Sequence, residues 1–130
     1  MYHVEYDAPA NNLMLIVKGF WTPEDVTAFA ANVGVRAQEA RAVRPDFDVV
    51  VESLEFPVQG HAVADLLTGI MRGGMQLTSG RAAVVVGSHL NKVQAERTLV
   101  HPRLRVFLTL DDARRWLAES PVACAVPALP

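Results

Sequence analysis

The sequence predicts an α/β domain: a mostly parallel five-stranded sheet with an antiparallel first strand and four helices. Three observations carry that expectation. Arg81–Ser88, RAAVVVGS, is a short apolar run rich in β-branched residues that stops at Gly87–Ser88 and gives way at once to a helical pattern. A strand so uniformly apolar is buried on both faces, as in a parallel sheet covered by helices. The same alternation of strand and helix recurs along the chain, which calls for right-handed parallel crossovers. Only the first two strands break the pattern, because the segment between them is too short for a parallel crossover and leaves an antiparallel pair.

The elements follow in order. Tyr2, Val4 and Tyr6 alternate with His3 and Glu5, the period of a half-exposed strand. Asp7–Asn12 supplies turn chemistry, and Leu13–Lys18 returns as the second strand. Thr22–Pro23–Glu24–Asp25 opens the first helix: Thr22 caps the free amides, Pro23 suits the first helical position, and the acids complement the helix dipole. Val26, Phe29, Ala30, Val33, Ala37 and Ala40 form its apolar stripe, and Arg44–Pro45 ends it.

Asp48–Ser53 is the third strand. The second helix is expected to turn Val63, Leu66, Leu67, Ile70 and Met71 inward and to stop at Gly73–Gly74. After the Arg81–Val86 strand, Ser88 caps a third helix with Leu90, Val93 and Arg97 as its inward positions. Leu104–Leu108 makes the fifth strand, and Thr109 with two aspartates starts a last helix that buries Ala113, Trp116 and Leu117. Residues 1–119 thus read as a single domain, and 120–130 as a poorly ordered Pro- and Ala-rich tail that carries the one cysteine, Cys124.

Composition narrows the function. A chain of 130 residues, 51% hydrophobic and 20% charged, can bury one core without disulfides or metals. A formal net charge of −2 offers no basic surface for nucleic acid or an anionic membrane. Arg36, Arg41 and Arg44 are interleaved with Glu39 and Asp46, as on a solvated face. No apolar run is long enough to span a bilayer, and the N-terminus has no basic stretch followed by an apolar run, so a cytoplasmic protein is expected.

No set of residues supplies catalysis, a cofactor site or a metal site. The four histidines, His3, His61, His89 and His101, show no i, i+4 pair and have no cysteine cluster beside them. His61 and His89 fall near the ends of adjacent strands and read as surface histidines at helix starts. The Gly87–Ser88 turn lacks a phosphate-loop lysine and a GxSxG pattern, which leaves a helix cap. Asp48, Glu52 and Glu55 have no partner acid placed for acid–base work. The Phe20–Trp21 and Phe56–Pro57 pairs lie beyond strand ends, on the edge where open α/β sheets take ligands and partners. The competing reading makes them staples that hold their loops on the core.

The order of elements resembles the STAS-like domains, the anti-sigma-factor antagonists and their relatives among small bacterial proteins. The resemblance runs from Tyr2 to Leu117 and rests on the opening hairpin, GFWTPEDV, VVVES, AVVVGS and VFLTLDDARRWL. It implies a cytoplasmic interaction or ligand-sensing module and no enzyme. One departure matters. Anti-sigma-factor antagonists typically carry a phosphorylatable Ser, preceded by Asp, between the third strand and second helix, whereas Leu54–His61 here contains no Ser or Thr. Ser53 precedes that loop and does not match the position.

Two functions are therefore expected. In the first, a regulatory module binds a protein partner or a second copy of itself through the Phe20–Thr22 and Phe56–His61 loops. Trp21, Phe56, Gln59, His61, Ser88 and His89 then gather at one edge, since parallel strands all exit on the same side. In the alternative, a carrier or sensor holds a small hydrophobic ligand between sheet and helices, as some relatives of the fold do. That reading needs a cavity lined by residues such as Met14, Leu67, Met71 and Met75.

Overall fold

Sequential strand order is the key to the architecture. In the computed structural model, which describes residues 1–119, the elements are β1 (Tyr2–Asp7), β2 (Asn12–Lys18), α1 (Pro23–Val43), β3 (Asp48–Glu55), α2 (His61–Gln76), β4 (Ala82–Val86), α3 (His89–Thr98), β5 (Leu104–Phe107) and α4 (Leu110–Ala118). The sheet runs β1-β2-β3-β4-β5, with β1 antiparallel to β2 and the remaining pairs parallel. The expected 120–130 tail, with Cys124, lies outside the described residues.

Right-handed crossovers that always step in one direction put their helices on one face of a sheet. That face carries Leu13, Leu15 and Val17 from β2, Val49 and Val51 from β3, and Ala82, Val84 and Val86 from β4. Against it lie Val26, Phe29, Val33, Ala37 and Ala40 of α1, Val63 and Met75 of α2, and Ala95 of α3. Among the described residues only α4 covers the opposite face, where Ala83 and Val85 meet Ala113 and Trp116. Every residue of β4 is consequently buried, while the second face of β2 stays half-open. Arg81 and Arg105 flank the Trp116 ring at 4.8 and 5.6 Å, which anchors α4 by cation–π contact.

Local chemistry sets most boundaries. The β1–β2 turn holds Asn11 at a positive φ, a conformation Asn tolerates well, and its side chain joins Tyr6 to Asp46. Thr22 and Asp25 form a reciprocal capping box at the start of α1. Asp25 is held below the ordinary carboxylate range chiefly by the Thr22 amide, and Asp46 by the Arg44 guanidinium. Asp48, at the start of β3, is pushed upward by burial, although it accepts a hydrogen bond from the Arg81 amide at 2.9 Å.

Three expectations fail on packing grounds. Helix α2 continues through Gly73–Gly74 to Gln76; neither glycine takes a positive φ, and Met75 is buried against β4 and β5, which holds the last turn in place. Leu66 faces outward instead of inward. In α3 the inward row is Asn91, Ala95 and Leu99, not Leu90, Val93 and Arg97, all of which are exposed. Ala95 and Leu99 pack on the β4–β5 part of the sheet, which leaves Leu90 and Val93 on the solvent side. β3 also runs two residues beyond Ser53, to Glu55.

Candidate functional site

The loops that follow β2, β3 and β4 meet at the carboxyl edge of the sheet. The Gly19 amide donates to the Glu55 carbonyl at 3.0 Å and ties the first loop to the end of β3. Gln59 ties it again: its side-chain oxygen accepts from the Trp21 amide at 2.9 Å, and its amide nitrogen donates to the carbonyls of Gly19 and Pro57. Gly87 closes the third loop on the same point. A Cβ there would stand 2.6 Å from the Leu54 carbonyl oxygen, so the residue must be glycine for the β4–α3 turn to pack against β3.

Trp21 does not belong to an exposed face. It is 7% exposed, its indole N–H donates to the Lys18 carbonyl at 2.8 Å, and its ring meets Tyr2, Phe29 and Phe56 edge-on at 5.0–5.8 Å. The expectation of Trp21 as a surface contact is corrected: it is a core staple, and Phe56, half-buried against it, shares that role. An aromatic edge-to-face cluster outcompetes solvent exposure at this position. The outward members of the edge are Phe20 (77% exposed), Leu54, Val58 and Leu90 (65%).

The remaining expected residues sit at helix starts. His61 opens α2 and His89 opens α3, both exposed. The Ser88 hydroxyl accepts from the Asn91 amide at 3.1 Å as a helix cap, which occupies the oxygen. Trp21, Phe56 and Gln59 are brought into contact; His61, Ser88 and His89 lie along the same edge without joining them. Among the described residues no three His, Cys, Asp or Glu side chains converge as a metal site. Ser53 is buried, and its hydroxyl donates to the Val85 carbonyl at 2.6 Å inside the sheet.

A second feature lies between the sheet and the helices. An apolar cavity of about 170 Å³ has Leu13, Val49, Val51 and Val84 in its floor and Phe29, Leu67, Ile70 and Met71 in its walls. The expected lining by Leu67, Met71 and Met75 is found; Met14 instead occupies the opposite face of β2. An open groove of about 380 Å³ runs between α2 and α3, and Ser53, Phe56, Leu67, Val84 and Leu99 line both spaces, so the two are direct neighbours. Asn91, Gln94 and Arg97 border the groove from α3. The sequence reading took Arg97 as an inward position of this helix and missed Asn91 and Gln94. Their signal was their recurrence at every third position along α3.

Comparison with known proteins bears on the fold. No protein-family model matches the sequence, and no curated protein gives a significant match. Among solved structures, an anti-sigma factor antagonist from Mycobacterium paratuberculosis superposes with a TM-score of 0.66 at 15% identity, over 92% of this chain and 94% of that one. Sheet order, the antiparallel first strand and four helices agree with that superposition, and the protein has a STAS-like fold.

Proposed function

We propose that this chain is a non-enzymatic, cytoplasmic regulatory module of STAS-like type that binds a protein partner at the carboxyl edge of its sheet. The observation that supports this reading is the exposure of four large apolar side chains at that edge: Phe20 in the β2–α1 loop, Leu54 at the end of β3, Val58 in the β3–α2 loop and Leu90 in the first turn of α3. Large apolar side chains grouped on one surface mark an interaction site in soluble domains. The fold match to a protein described as an anti-sigma factor antagonist agrees with it. Self-association through the same edge, giving a homodimer, is one form of the proposal. Serine phosphorylation has no part in it, because Leu54–His61 lacks a hydroxyl and the Ser53 hydroxyl is buried in a hydrogen bond.

The test is the double variant Phe20→Ser, Leu90→Ser. Both side chains are exposed, so the melting temperature stays within a few degrees of wild type. Sedimentation equilibrium measures self-association, and quantitative capture from the native host measures partner recovery. Loss of the dimer or of a stoichiometric partner in the variant supports the reading. A wild type that is monomeric at high concentration and recovers no partner that the variant loses would sink it.

A second reading, a carrier or sensor for a small hydrophobic ligand, is favoured by the apolar cavity beneath α1 and α2. The two readings share the β3–α2 loop, because Phe56, Pro57, Val58 and Gln59 line the groove beside that cavity.

A further inference from the structure

The groove between α2 and α3 differs from the neighbouring cavity in one chemical respect. Among the described residues the cavity is lined by apolar side chains, with Ser53 the single polar one, and that hydroxyl is already engaged with the Val85 carbonyl. The groove adds a polar rim, and its side chains fall into two sets. Thr68, Thr98 and Gln59 are satisfied by backbone carbonyls or, for Gln59, by the loop it clamps. Asn91, Gln94 and Arg97, at every third position of α3, make no side-chain hydrogen bond or ion pair among the described residues.

Charge at this opening is one-sided. Among the described residues, Arg97 is the only charged one that lines the cavity or the groove, and no Asp or Glu lines either. The nearest cation on α3, Lys92, is paired with Glu96 at 3.6 Å and does not line the groove. Helix α3 buries no side chain completely, so its polar row is held at the opening without closing it.

Resting on the ligand reading above, we infer that the α2–α3 groove and its cavity form one binding site for a single-chain amphiphile, with the apolar tail inside and an anionic head group at Asn91, Gln94 and Arg97. Volume sets the tail length. An apolar cavity of roughly 150 Å³ accommodates benzene, so about 170 Å³ takes a tail of similar carbon count. The shallower part, over Val84, Val86 and Leu99, holds the next few carbons. A medium-chain carboxylate of roughly eight to ten carbons fits, by that comparison, both dimensions and charge. A guanidinium at the rim can hold a carboxylate by two parallel hydrogen bonds, and the two amides add further donors.

Calorimetric titration of the full chain with hexanoate, octanoate, decanoate and 1-decanol, all below their aggregation limits, tests this. Each added methylene buried in the cavity should raise affinity about four-fold, and the gain should flatten once the cavity is full. Arg97→Gln, at an exposed position, should weaken decanoate at least ten-fold while leaving 1-decanol unchanged. A chain-length series that also appears as amide shifts at Val84 and Leu99 locates the tail. If decanoate and 1-decanol bind equally and Arg97→Gln alters neither, the anionic head group is wrong and the apolar-ligand reading survives. If neither binds, both are wrong.

Discussion

Replacing Val84 by Ile adds one methylene at the floor of the apolar cavity, where the valine side chain is buried yet faces empty volume. One methylene buried in that space contributes ~0.8 kcal/mol by transfer alone, and the contacts it restores bring the gain to about 1 kcal/mol. Ile keeps the β-branched shape that suits a strand. Unfolding in urea, followed by tryptophan fluorescence, should therefore show a higher midpoint at unchanged slope, and the melting temperature should rise by about 4 °C. The same substitution should weaken decanoate binding, since it occupies the tail's place. An already filled site would respond in the opposite direction, because overpacking costs about 1–3 kcal/mol. A loss of stability of that size would refute both the void and the ligand site built on it.

The other predictions concern stability and pH. Val85→Asp places a carboxylate in a fully buried position beside Ala113 and Trp116 and should cost more than about 4 kcal/mol; a wild-type melting curve by circular dichroism would contradict the assigned face. Trp21→Ala empties the centre of the Tyr2–Phe29–Phe56 cluster and should cost about 3–5 kcal/mol, whereas a change under 1 kcal/mol in urea would return Trp21 to the list of surface residues. Burial raises the folded pKa of Asp48, so ionisation opposes folding and its cost grows as pH rises through the folded pKa. Asp48→Asn keeps an acceptor for the Arg81 amide and should stabilise the fold at pH 7, with the advantage vanishing as pH falls below the ordinary carboxylate range. Urea midpoints at pH 7 and pH 3.5 decide it, and a variant less stable than wild type at pH 7 would show that the Asp48 charge is needed.

Much of the architecture was legible in the residues because it depends on local patterns. The AVVV run required burial on both faces, and β4 is buried on both, under α2 and α3 on one side and α4 on the other. Thr22-Pro-Glu-Asp, Ser88 and Thr109 marked helix starts that the structure uses as caps, since a cap needs only its own next three residues. Legibility ended where the outcome depended on a distant surface. Gly73–Gly74 looks like a helix stop, but Met75 packs on strands that the local sequence does not contain. The phase of α3 could not be read from Leu90 and Val93, because the row that packs is fixed by the contacts of Ala95 and Leu99 with β4 and β5. Trp21 and Phe20 are adjacent and equally apolar, and the Gln59 clamp, made from 38 residues away, sends Trp21 into the core and leaves Phe20 outside. The cavity arises the same way. By itself the sequence determined which elements form and in what order. Tertiary packing decided which side chain of each pair is buried and where the helices leave space, because those depend on surfaces that meet only once the chain has folded.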